Sequence, residues 1–144
     1  MSDSLQKALS LLPHGAEFRF VERLISLEPG CSGTAEYTVR GDEPFLRGHF
    51  PSQPLFPGVL LAEAAAQLAG IVAQSDPEIG ALPGLKLTAL RSVKILGSAV
   101  PGNVVRLDAQ VTGRLGNLIQ ADVKASVNEQ IVMTGQLTLS GETA

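Results

Sequence analysis

Residues 57–74 constrain this chain more than any other stretch. Only Glu63, Gln67 and Gln74 are polar there, and the rest is Pro, Gly, Val, Leu, Ile and Ala. A helix made from it is apolar around nearly its whole circumference and must be covered on most sides. Pro57 suits the first helical position, where its missing N–H is not needed, and Gly58 leaves the helix-start amides without a covering side chain. At ~1.5 Å per residue the segment makes a rod of about 27 Å. That approaches the ~20 residues of a membrane span. The central Glu63, the dominance of Ala over Leu and the lack of a flanking basic cluster favour burial in protein instead.

The cover is written in the rest of the chain as alternation. Val105, Leu107, Ala109 and Val111 alternate with polar residues, as do Ile119, Ala121, Val123, Ala125 and Val127, and then Ile131, Met133, Gly135, Leu137 and Leu139 alternate with Val132, Thr134, Gln136 and Thr138. Turns are expected at 114–117 and at Asn128-Glu129. This period of two predicts three antiparallel strands with one wet face. Leu85–Leu96 reads as a further long strand, Val100-Pro101-Gly102-Asn103 as a turn, and Phe18–Leu27 with 34–40 as a hairpin around Glu28-Pro29-Gly30. Ser4–Leu12 reads as a short helix, with Ser4 as cap and Pro13 as stop. Helix and strands without βαβ alternation predict an α+β fold. An antiparallel sheet curled round the central helix satisfies both apolar surfaces, and a partner subunit, pairing strand edge to strand edge, completes the cover.

With 144 residues the chain suits a single domain over 1–144, and its net charge of −3 argues against a nucleic-acid partner. The single Cys31 excludes an internal disulfide and a cysteine-built zinc site. Met1–Ser10 shows no secretory signal, so a cytoplasmic location is expected.

Just before the helix stands Gly48-His49-Phe50-Pro51, then Pro57-Gly58-Val59-Leu60, then Glu63-Ala64 and Ala66-Gln67. With Leu12-Pro13-His14, Leu27-Glu28-Pro29-Gly30, Glu43-Pro44-Phe45 and Val100-Pro101-Gly102, these segments resemble the 3-hydroxyacyl-acyl-carrier-protein dehydratases of fatty-acid synthesis. The resemblance covers most of the chain. It implies the hot-dog fold, a curved antiparallel sheet wrapped around one long helix, and a hydro-lyase of fatty-acid or related lipid or polyketide biosynthesis. His49 would remove the C2 proton, since a histidine titrates near neutrality. The N–H of Gly58, at a helix N-terminus, would hold the thioester oxygen. Glu63 would protonate the departing C3 hydroxyl. Phe50, Pro57, Val59 and Gln67 would line the substrate site, and His49 and Glu63 would meet across a dimer interface. The implied partners are acyl carrier protein, docking weakly at Arg91 and Lys94, and a second copy of the chain, with a trimer of dimers left open. No metal and no cofactor is implied beyond the carrier's phosphopantetheine arm.

Plainer readings stand beside these. His49 could only hold a turn, Glu63 could be a paired buried acid, Gln67 could orient Glu63 or serve a helix interface, and Arg91 and Lys94 could be a solvated strand face. His14 is taken as structural and Cys31 as inert. A hot-dog thioesterase and a non-catalytic acyl- or carrier-binding module are the alternative functions. Ser52 and Gln53 stand where the family commonly has Gly and His, Phe56 where it has Met, and Asn103 where it has Asp. The 90–99 segment lacks the usual Ala-Arg-Phe-basic-basic-Pro run. These departures point to a specialised relative.

Overall fold

The computed structural model describes residues 2–47, 52–80 and 82–142. Helix α1 spans Asp3–Leu9, and the long helix α2 spans Gly58–Gln74. The strands are β1 (Arg23–Glu28), β2 (Ser32–Thr38), β3 (Lys86–Ile95), β4 (Val104–Leu115), β5 (Leu118–Val127) and β6 (Gln130–Ser140). Single 3-10 turns occupy Ala16–Phe18 and Pro44–Arg47. The six strands form one antiparallel sheet in the order β1-β2-β4-β5-β6-β3. It wraps α2, which is the hot-dog architecture expected from the sequence.

The inward sets explain the wrapping. Ala35 and Tyr37 from β2, Val105, Leu107 and Ala109 from β4, and Ile119, Ala121, Val123 and Ala125 from β5 are all buried, while their neighbours face water. From α2, Leu61, Leu68, Ile71 and Val72 meet them, and Ala62, Ala64, Ala65, Ala66, Ala69 and Ala73 let the sheet come close. At Gly33 the sheet lies hard against the helix, because a Cβ there would sit 2.9 Å from Val72 Cγ2. The β1–β2 turn is tied to the same helix: the Gly30 N–H donates to the Val72 carbonyl at 2.9 Å. No helix among the described residues is long and apolar enough to cross a membrane.

Several boundaries differ from the sequence reading. Ser2 rather than Ser4 caps α1, its hydroxyl accepting from Leu5 N–H at 3.3 Å, and the helix stops at Leu9. Pro57 caps α2 from outside instead of opening it, its carbonyl accepting from Leu60 N–H at 2.9 Å. Strand β4 runs on to Leu115, leaving Gly116-Asn117 as the turn. In β6 a bulge opposite Ala125/Ser126 changes the phase, so that Ile131 is exposed while Val132 and Met133 are both buried. β3 departs most. Two register breaks, with Ser92 at φ +50°, interrupt its alternation, and Leu90 and Ile95 are exposed.

Candidate active site

The helix-start geometry is held by an aromatic corner. Phe56 pairs with Ala99 in an isolated bridge, its N–H donating to the Ala99 carbonyl at 2.8 Å. Its ring packs against Phe20, Tyr37 and Phe45, each with centroids 5.6 Å away. This fixes Pro57 and the first turn of α2. Gly58 is closed in by β3, since a Cβ there would lie 3.0 Å from Ile95 Cγ2. The helix-start N–H groups, Gly58 among them, have no intrahelical acceptor and gather the positive end of the helix dipole. Pro57 is half-buried beside it, and Val59 projects outward, 76% exposed.

Glu63 follows five residues later. Its side chain is 23% exposed and faces a cavity of about 620 Å³ between α2, the chain after α1 and the start of β3. The cavity walls near it are Leu12, Pro13, Ala66, Gly70 and Leu85. Its far end is closed by Gln74, whose amide donates to the Leu82 carbonyl at 2.7 Å and accepts from Leu82 N–H at 2.8 Å. Gln67 also borders the cavity, but its polar atoms are engaged elsewhere. Its Nε2 donates to the Phe18 carbonyl and its Oε1 accepts from Phe20 N–H, both at 2.8 Å. Of the two roles open to it, the structure shows the interface one, stitching α2 to residues 18–20.

His14 stands beside the Glu63 carboxylate. Its Nε2 lies 3.8 Å from Oε2, and its ring stacks on Phe18 with centroids 6.2 Å apart. His49 and Phe50, with Gly48 and Pro51, lie outside the described residues. The chain leading to them is firmly built. Glu43, 2% exposed, accepts from Tyr37 Oη at 2.5 Å, Gly41 N–H at 2.7 Å and Arg40 N–H at 3.1 Å. Burial works against the Glu43 carboxylate, yet these bonds outweigh it and hold the group below the usual range. Burial, and then the bond to Glu43, push the Tyr37 phenol well above its ordinary value. The Pro44–Arg47 turn follows directly, ending two residues before His49. Sequence reasoning noted Glu43 only as part of a motif and set His14 aside. Partners six and forty-nine positions away leave no local pattern.

Arg91 and Lys94 are exposed on β3, and neither pairs with a carboxylate among the described residues. A broader depression of about 660 Å³ crosses the outer face of the sheet past Lys94, Asp108 and Lys124. Its Asp108 is engaged by Thr34 Oγ1 at 2.8 Å and by Arg106 at 3.1 Å.

A family model described as FabA-like domain matches residues 12–136. The chain is 36% identical over 131 residues to the 3-hydroxyacyl-[acyl-carrier-protein] dehydratase FabZ of Ruminiclostridium cellulolyticum, covering 88% of this chain and 89% of that one. It is 37% identical over 134 residues to the FabZ of Listeria monocytogenes serotype 4b, covering 92% of each. Among solved structures it resembles the dehydratase heterocomplex ApeI:P from Xenorhabdus doucetiae, with a TM-score of 0.78 at 19% identity over 92% of this chain and 88% of that one. At that identity the likeness speaks for the fold.

Proposed function

From the premise that this chain belongs to the FabA-like family, we propose that it dehydrates (3R)-3-hydroxyacyl-acyl-carrier-protein to the trans-2-enoyl thioester in fatty-acid biosynthesis. The observation that carries the reading is the placement of Glu63, an acid facing an apolar cavity five residues beyond an open helix start. His49 takes the C2 proton, and the electron pair moves toward the thioester oxygen. Gly58 N–H and the helix dipole stabilise the charge that develops there. The pair then returns as the C3–O bond breaks, Glu63 supplies the proton, and water leaves. The acyl chain lies along α2 between Glu63 and Gln74, and Pro57, Val59 and Phe50 border its approach. The substrate arrives on the phosphopantetheine arm of acyl carrier protein, with Arg91 and Lys94 offering positive charge to an acidic carrier.

Two copies complete the site. β3 is the last strand of the sheet and exposes Leu90 and Ile95, with Leu96 and Val59 beside them. An exposed apolar edge of this kind is a template for strand pairing. In this reading His49 of one copy acts together with Glu63 of the other. The test is mass analysis of 3-hydroxyacyl carrier-protein thioesters incubated with the enzyme, reading both loss of water and free acid. His49→Ala and Glu63→Gln each lower turnover by at least ~10² while the dimer stays folded. Near-native turnover in either variant removes that residue from the mechanism, and release of free acid without water loss replaces the lyase by a thioesterase.

A further inference from the structure

We propose that His14 is a positioning residue for Glu63, donating its Nε2–H to Oε2 and so orienting the carboxyl group for proton delivery. The proposal deepens the dehydratase reading and rests on it. His14 Nε2 stands 3.8 Å from Glu63 Oε2, at the same cavity wall. Its Nδ1 is buried with no hydrogen-bond partner among the described residues. A proton on Nδ1 would be buried there without an acceptor. The tautomer with its proton on Nε2 avoids that, and aims its donor at Glu63. The stack on Phe18 holds the ring plane, and Gln67 in turn holds the Phe18 and Phe20 backbone to α2. Lys86 is the remaining charged residue bordering this cavity, and the nearby Arg19 donates to the Leu12 carbonyl at 3.3 Å.

The arrangement suits the proton transfer. Before it, one carboxyl oxygen is turned toward His14 and the other, bearing the proton, toward the C3 hydroxyl. As the C3–O bond breaks, the proton goes to the leaving oxygen and negative charge appears on Glu63. The His14 N–H then becomes a charge-assisted donor to it. The distance in the free enzyme exceeds a hydrogen bond, and contacts of this kind tighten when substrate fills the site.

The experiment compares His14→Phe, which keeps the ring stack but has no donor, with His14→Gln, which restores an N–H. Hydrogen bonds to charged groups predict that kcat in His14→Phe falls about ten- to hundredfold with KM little changed, and that His14→Gln recovers most of it. Wild-type kcat in His14→Phe, or an equal loss in both variants, overturns the proposal. A second readout needs no substrate. Nitrogen NMR of the imidazole is expected to show His14 carrying a proton on Nε2, with signals that shift in Glu63→Ala. A ring protonated at Nδ1 alone, or signals indifferent to Glu63→Ala, also overturns it. If the wild-type enzyme removes no water at all, the dehydratase reading fails, and the NMR result alone then decides whether His14 and Glu63 are coupled.

Discussion

Replacing Glu43 by Gln tests whether the corner that leads to His49 depends on charge. The wild-type carboxylate accepts from Tyr37 Oη and Arg40 N–H on Oε2 and from Gly41 N–H on Oε1, in a site only 2% exposed. Glutamine keeps the shape but must turn an NH2 toward at least one of these donors. With the NH2 at the Oε1 position, the Gly41 bond is lost, which costs about 1.5–3 kcal/mol for a charged acceptor. The two remaining bonds become neutral and about half as strong. Together these give a loss of about 3–6 kcal/mol, or at least about 6–12 °C in Tm for a chain of this size. The pH dependence carries a sign. Glu43 titrates below its ordinary value of 4.5 in the folded protein, so its contribution is present above 4.5 and is lost as pH falls through the folded value. Denaturant melts of both proteins near neutrality and again below 4.5 should show a gap that narrows on acidification. A gap under about 1 kcal/mol near neutrality, or one that stays constant as pH falls, refutes the assignment of a charge-dependent corner.

Gln67→Leu strands the buried Phe20 N–H, which costs about 1–3 kcal/mol, and releases the part-buried Phe18 carbonyl, so denaturant unfolding should show a loss of roughly 2 kcal/mol; a change within 0.5 kcal/mol would show the stitch to be dispensable. Gly33→Ala forces a methyl to 2.9 Å from Val72 Cγ2, an overpacking cost of about 1–3 kcal/mol. Calorimetry should find Tm lowered, and Val72→Ala in the same chain should restore part of it. Leu90→Glu, at the exposed outer strand, changes the stability of the isolated subunit by only about 0.5 kcal/mol but sets like charges across a two-fold strand pair. Light scattering should find the dimer weakened and turnover reduced with it, and an unchanged dimer would move the interface away from β3.

What the sequence alone determined is the scaffold. Eighteen nearly all-apolar residues demand wrapping, and period-two alternation over 104–140 supplies a sheet with one face to wrap with. Both are local repeats, so both survive without knowledge of distant contacts. The loop-to-helix order of His49, Gly58 and Glu63 was legible for the same reason, being confined to fifteen positions. The tertiary structure decided where that regularity breaks. The bulges of β3 and β6 come from partner strands, and put Leu90, Ile95 and Ile131 outside although simple alternation turned two of them inward. It also decided that Gln67 holds backbone, that Glu43 anchors the approach to His49, and that His14 faces Glu63 from forty-nine residues away. A buried polar group must take whatever donor or acceptor the fold brings to it, and that partner is set by packing in three dimensions, beyond the reach of any local pattern.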